Sequence, residues 1–338
     1  MRKDSHKIRT GSFYTTMTNW YNKVVLEFFA DLEYDSICDP YCGDGNLLLQ
    51  FKDITRKQYL KTYGFDIKDS EKARASLDHF EINNSLDSIP KIDNCLYITN
   101  PPWLNVVISR KMKMDTKDIE KYFDEEPDLY MVAINRLFEL GVPFIGLFPY
   151  NLLTSNHRLK EHFGKIVLLS ESPFSDTGAL TCVGLYRPDQ SPSLEVWQDD
   201  KVNYGFYRDI KAAVAVPDYS INIKFNAKSG PILFRSVDML EKDKRAEFFV
   251  YDEFMQARKN KPIRNSRLTC IIDLDLDGID LHTFVKTLNK NLEAYRSTPA
   301  ELLNTSFLEK TKYGTYRKMI GLKVARALIE KTFHELHG

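Results

Sequence analysis

The first half of the chain alternates short apolar runs with amphipathic stretches, and this restricts the fold more than any other feature. It is the pattern of a parallel sheet covered by helices. A helical stretch runs from Trp20 to Leu32, DSICDP reads as a strand, and GNLLLQF opens a helix. KTYGFDI is a second strand, DSEKARASLDHF a second helix, and NCLYITNPPW a strand ending in a loop. After a charged insertion from Arg110 to Glu126, DLYMVAINRLFEL has helical spacing, VPFIGLFP is a buried strand, and KIVLLS with CVGLYR forms a last strand pair. About six or seven strands with helices between them are expected. Arg187-Pro-Asp-Gln-Ser-Pro-Ser193 carries turn and linker residues, which places a domain boundary there and divides the chain into residues 1–190 and 191–338.

Composition narrows the class. With 338 residues, 43% of them hydrophobic and 28% charged, the chain falls in the globular range and is long enough for two domains. No stretch approaches the roughly 18–20 apolar residues of a membrane span, and the polar opening MRKDSHKIRTGSFYTT lacks an apolar signal core. A soluble, cytoplasmic protein with no membrane partner is expected. The five cysteines, Cys38, Cys42, Cys95, Cys182 and Cys270, are odd in number and have no zinc spacing, so they read as reduced, buried thiols. Net charge is zero, but residues 1–194 carry 23 basic and 27 acidic side chains and residues 195–338 carry 24 and 20. The balance shifts from −4 to +4, as it would if the second half met phosphate. RKNKPIRNSR, with Arg258, Lys259, Lys261, Arg264 and Arg267 and no acid, is the candidate phosphate-contacting stretch; the alternative is a solvated loop.

Three segments carry chemistry. Asp39-Pro-Tyr-Cys-Gly-Asp-Gly45 follows a strand and precedes a helix, where open α/β sheets bind ligands, and its glycines allow a sharp turn and close approach. Asp39 and Asp44 would repel a phosphate, so the ligand is cationic or neutral. Asp66 ends the next strand, where an acid accepts hydrogen bonds from ribose hydroxyls; a helix N-cap is the alternative. Asn100-Pro101-Pro102-Trp103 follows the apolar strand LYIT. Its prolines stiffen the loop. If the Asn100 side-chain oxygen and the Pro101 carbonyl accept the two N–H bonds of an exocyclic aromatic amine, the amine lone pair is aimed at a methyl donor. Trp103 offers a face to an extruded base.

The order of these segments resembles the amino-group DNA methyltransferases of the adenine-N6 kind, in the gamma arrangement of restriction-modification enzymes. The resemblance covers residues from about 8 to 187. It implies a Rossmann-like methyltransferase sheet with helices on both faces, followed by a C-terminal α+β target-recognition domain. It also implies S-adenosylmethionine, whose ammonium and sulfonium suit the acids, as cofactor. Gly11-Ser-Phe-Tyr-Thr-Thr16 is similar to the family's N-terminal motif and puts Phe13, Tyr14 and Thr15 at the methionine end. DPYCGDG resembles its cofactor loop, with Asp39, Tyr41, Gly43 and Gly45 at the cofactor, and departs from it in having Tyr41 and Cys42 where small residues are frequent. Asp87, or Asn84 near it, falls at the cofactor adenine. Phe174 occupies the position of an aromatic that stacks on the flipped base; core packing is the alternative. The implied reaction is methylation of adenine N6 in double-stranded DNA, with a restriction endonuclease acting separately. Cytosine N4, RNA adenine, protein glutamine and an inactive DNA-binding relative remain as alternatives. No metal is expected: Asp273-Leu-Asp-Leu-Asp-Gly278 imitates a calcium loop but has Phe284 where a bidentate Glu is needed, and His157 and His162 read as capping or packing residues.

Overall fold

The computed structural model describes residues 18–111, 114, 117–174, 180–213, 221–238, 245–259, 263–266, 268–310 and 316–337. The chain divides into two compact units, Met1–Tyr207 and Arg208–Gly338.

The first unit contains, in order, α1 (Lys23–Phe28), β1 (Ser36–Asp39), α2 (Asn46–Thr55), β2 (Lys61–Asp66), α3 (Glu71–Ser76), β3 (His79–Ile82) and β4 (Cys95–Thr99). It continues with α4 (Val106–Lys111), α5 (Glu120–Phe123), α6 (Leu129–Leu140), β5 (Phe144–Pro149), α7 (Asn151–Thr154), β6 (Lys165–Leu168), β7 (Thr181–Tyr186), β8 (Glu195–Gln198) and β9 (Val202–Phe206). These strands form one sheet in the order β3-β2-β1-β4-β5-β7-β6-β8-β9. The run from β3 to β5 is parallel, and β7 lies antiparallel to both β5 and β6.

Period-two alternation sorts the side chains onto two faces. Ile37, Leu96, Ile98, Ile145, Leu147, Val183 and Leu185 join Val25, Leu48 and Phe51 of α1 and α2 in one buried cluster. On the other face, Phe144 and Tyr186 meet Phe138 of α6, and Phe148 meets Tyr130 of the same helix. Helices therefore cover both faces, as expected for an α/β sheet of Rossmann type.

Two readings of the sequence shift. The stretch expected to be helical through Phe80 leaves the helix after Ser76 and becomes edge strand β3, whose side chains are mostly exposed and so show no apolar alternation. The boundary expected at residues 190/191 lies instead after Tyr207. Arg187 is 6% exposed, and its guanidinium bonds to Asp189, Asp31 and the Phe28 carbonyl. The turn residues at 187–193 thus make a pinned loop between strands, and β8 pairs parallel with β6 beyond it.

The second unit begins within α8 (Tyr207–Ala212) and continues through β10 (Lys224–Phe225), β11 (Ile232–Arg235), β12 (Glu247–Val250), α9 (Tyr251–Ala257) and β13 (Thr269–Asp273). It ends with α10 (Leu281–Arg296), β14 (Thr305–Lys310), β15 (Tyr316–Met319) and α11 (Leu322–His337). Its four-stranded antiparallel sheet, ordered β10-β13-β11-β12, packs Ile232, Phe234, Phe248 and Ile272 against Phe284, Leu288, Leu292 and Ile329 of the two long helices. Helices segregated beside an antiparallel sheet make this an α+β unit. Phe284, in the calcium-like stretch, is a core residue at 0% exposure. Among the described residues no helix is long and apolar enough to cross a membrane.

Candidate active site

Strand order reverses between β1 and β4: β2 and β3 extend to one side of β1, while β4 and β5 extend to the other. Because β2, β1 and β4 are parallel neighbours, their carboxyl ends share one sheet edge. Asp66, Asp39 and Asn100 all follow from that edge, at the crevice where such sheets take ligands.

Asp39 is 2% exposed, and burial pushes its carboxyl up to about 7. Its Oδ1 accepts from the Thr99 hydroxyl at 2.7 Å and from the Tyr41 amide at 3.0 Å. The first of these bonds joins the end of β1 to the residue immediately before Asn100. The Gly loop then folds over β2: the Cys42 amide donates to the Phe65 carbonyl at 2.9 Å, and the Gly43 amide to Asp66 Oδ2, also at 2.9 Å. Gly43 at φ +51° and Gly45 at φ +79° occupy the left-handed region that glycine enters without strain. Asp66 also accepts from the Lys68 amide at 2.9 Å. Ile67 beside it is 59% exposed, an apolar surface at the ligand edge that the sequence reading passed over.

Asp44 departs from the part given to it in excluding phosphate. It accepts from the Ser70 hydroxyl at 3.0 Å and faces Lys72 at 3.7 Å, so the acid that characterises the loop is Asp39. Asp87 sits in a polar cluster: its Oδ2 accepts from the Asn84 amide at 3.0 Å, and its Oδ1 from Tyr122 at 2.8 Å and from Lys121. The Lys121 ammonium holds this carboxyl below its ordinary range. Tyr41 donates to the Ser85 carbonyl at 3.0 Å and packs with Leu86, Leu104, Tyr122 and Leu129. One satellite cluster thus joins the Gly loop, the segment after β3, the segment after Trp103 and α5. The charged insertion supplies Lys121 and Tyr122, neither of which has any local motif to announce it.

The Asn100-Pro101-Pro102-Trp103 turn is fixed from behind. Leu129 donates to the Leu104 carbonyl, and Val106 to the Pro127 carbonyl, each at 3.0 Å. Asn105 and Asp128 form an antiparallel bridge, and burial pushes the Asp128 carboxyl up to about 6. Trp103 meets Phe174 edge to face, with ring centroids 5.1 Å apart. Phe174 itself is 3% exposed, so its ring supports Trp103 from within the protein. Phe13, Tyr14 and Thr15 lie outside the described residues, as do Lys261 and Arg267. Arg258, Lys259 and Arg264 are exposed on the second unit, and among the described residues no acid pairs with them. His157 is 4% exposed, with Nε2 3.0 Å from Asn135 Oδ1 and 3.7 Å from Glu126, and burial lowers its pKa. All five cysteines are buried free thiols.

No family model matches the chain, and no curated protein does. Among solved structures, it is similar to a candidate class I S-adenosylmethionine-dependent methyltransferase from Listeria monocytogenes, at 18% identity over 52% of this chain and 61% of the other, with a TM-score of 0.39. It is also similar to a type I restriction-modification methyltransferase subunit from Streptococcus thermophilus, at 14% identity over 74% of this chain and 58% of the other, TM-score 0.42. A third similarity is to DrdV, solved as a DNA complex, at 12% identity over 62% of this chain and 29% of the other, TM-score 0.38. The chain thus spans about three fifths of the length of the first two.

Proposed function

We propose that this chain is an S-adenosylmethionine-dependent methyltransferase acting on a base amino group, adenine N6 in double-stranded DNA. The observation that carries the reading is the adjacency of Asn100-Pro101-Pro102-Trp103 at the end of β4 to the Asp39 loop at the end of β1, the two strand ends being tied by the Thr99–Asp39 hydrogen bond.

The residues present fit the cofactor. A buried carboxylate is costly unless a cation meets it, and Asp39 can meet one. The loop glycines turn the backbone through left-handed φ values, with Gly45 packed against Leu77, Asp66 lies where ribose hydroxyls are held, and Ile67 offers an apolar surface for a purine. When bound, S-adenosylmethionine supplies a methyl group made electrophilic by its sulfonium.

The chain's own part is positional. The Asn100 side-chain oxygen and the Pro101 carbonyl accept the two amine hydrogens and orient the lone pair. Trp103, backed by Phe174, stacks on the extruded base. The two N–H bonds would polarise the amine; with the methyl donor bound, the C–N bond would form as the donor's C–S bond breaks, S-adenosylhomocysteine would be the leaving group, and the surplus amine proton would pass to solvent water. No cysteine takes part, since burial holds the Cys42 and Cys182 thiols protonated and attack by nitrogen needs no covalent enzyme intermediate. The second unit, with exposed Arg258, Lys259 and Arg264, supplies phosphate contacts.

The test is transfer of labelled methyl to duplex DNA, RNA and protein, followed by modified-base sequencing of the DNA. N6-methyladenine at one recurring sequence is the expected result. Label confined to RNA, to protein or to cytosine N4 rejects the reading.

A further inference from the structure

Among the described residues, the exposed large hydrophobic side chains are scattered singly along the chain, except at Val107, 68% exposed, and Ile108, 44% exposed. Isolated exposed apolar residues are ordinary, but an adjacent branched pair on a helix beginning three residues after Trp103 is not. Lys111 lies four residues after Val107 and three after Ile108, so the apolar pair and this ammonium share one helix face, and Arg110 lies three after Val107. Arg110 and Lys111 are exposed, and among the described residues no acid pairs with them.

The start of the helix is anchored by hydrogen bonds. Asn105 Oδ1 accepts from the Val107 amide at 2.8 Å. Ser109, at 0% exposure, turns inward, and the Leu104–Leu129 and Val106–Pro127 bonds pin the helix base. An exposed apolar pair beside two cations suits a partner with an apolar interior and an anionic exterior, which describes a nucleic-acid duplex opened at one step.

We propose that α4 is a wedge: Val107 and Ile108 enter the duplex at the step vacated by the extruded base, and Arg110 and Lys111 contact the flanking phosphates. This rests on the DNA reading above and adds the residues that offset the cost of unpairing, a cost that is smallest when the target base is already unpaired.

The experiment uses the full chain and two duplexes carrying the site that modified-base sequencing identifies, one with the target adenine paired and one with it opposite an abasic position. Val107→Ser/Ile108→Ser should keep the parental melting temperature, because both side chains are exposed. It should lose roughly tenfold or more in kcat/KM on the paired duplex, the scale of burying one such side chain. On the abasic duplex it should come within about twofold of the parent, because the step the wedge assists is already done. Ile108→Leu should retain parental activity. Arg110→Gln/Lys111→Gln should reduce the slope of log affinity against log salt by about two units. Equal loss on both duplexes, or no loss on either, overturns the wedge. So does a dimer of the parent that the double serine variant dissociates, which would make this face a self-contact. A parent that methylates RNA or protein but no DNA overturns the DNA reading itself, and the wedge with it, whereas a parent active on DNA confines any failure to the wedge.

Discussion

Replacing Asp39 by Asn separates what this residue costs the empty protein from what it gives a ligand. Both protein hydrogen bonds to the carboxyl, from the Thr99 hydroxyl and the Tyr41 amide, fall on Oδ1. The Asn amide oxygen can accept both, so the change removes charge with little change of shape. Burial raises the Asp39 pKa from 3.8 to about 7. A raised folded-state pKa means that the folded protein holds the proton more tightly than the unfolded chain. The parent is therefore unpenalised below pH 3.8, loses stability as pH rises from there to about 7, and levels off above. A rise from 3.8 to about 7 corresponds to on the order of 4 kcal/mol at the plateau. Asp39→Asn escapes that loss, so urea unfolding of the two proteins should coincide near pH 4 and diverge steadily, with the variant more stable by up to that amount at pH 8. Calorimetric titration with S-adenosylmethionine at pH 8 should show the reverse order, with weaker binding to Asp39→Asn by at least tenfold. The parent, but not the variant, should release a proton on binding near pH 7. If the stability difference does not change with pH, Asp39 is not carrying a buried charge. If the affinity is unchanged, it does not face the cofactor.

Asn100→Ala should lower the methylation rate by roughly a hundredfold or more, equivalent to a positioning hydrogen bond of about 3–4 kcal/mol, while cofactor affinity stays near parental. Rapid-quench turnover with a parallel cofactor titration checks it, and a near-parental rate removes the tetrapeptide from catalysis. Phe174→Ala should cost about 3–5 kcal/mol of stability by leaving a cavity, because the ring is 3% exposed and supports Trp103. An unchanged melting temperature combined with brighter 2-aminopurine fluorescence at the target base would instead assign Phe174 to direct stacking. Replacing Arg258, Lys259, Lys261, Arg264 and Arg267 together by Gln should flatten the salt dependence of DNA affinity, by about 0.9 for each phosphate that these side chains neutralise. Filter binding across a salt series measures this, and an unaltered slope in the folded variant makes the stretch a solvated loop.

Buried parallel strands are apolar on both faces, so β1, β4 and β5 could be read from composition alone, whereas β2 is only partly buried; Asp39, Asp66 and Asn100 were legible as residues at the carboxyl ends of β1, β2 and β4. Edge strand β3 was not legible, because its side chains are mostly exposed and its partner is chosen by the sheet rather than by any pattern of its own. The strands after the turn residues at 187–193 were likewise out of reach, since the same Pro and Ser residues serve a linker or a loop pinned by Arg187, and a salt bridge spanning 156 residues decides between them. At the candidate site, residue types marked the strand ends but not the local pairings. Asp44 and Asp39 look equivalent in DPYCGDG, yet Asp44 bonds Ser70 and faces Lys72 while Asp39 is buried against Thr99. Asp87 has its oxygens engaged by Asn84, Tyr122 and Lys121, the last two from an insertion with no motif. Phe174 was consistent in sequence with a stacking platform and with a core side chain, and its 3% exposure and edge-to-face contact with Trp103 favour the second. Periodicity and turn chemistry act over neighbouring residues and are written locally, whereas charge pairing and burial depend on segments brought together from distant parts of the chain, and these exist only once the chain has folded.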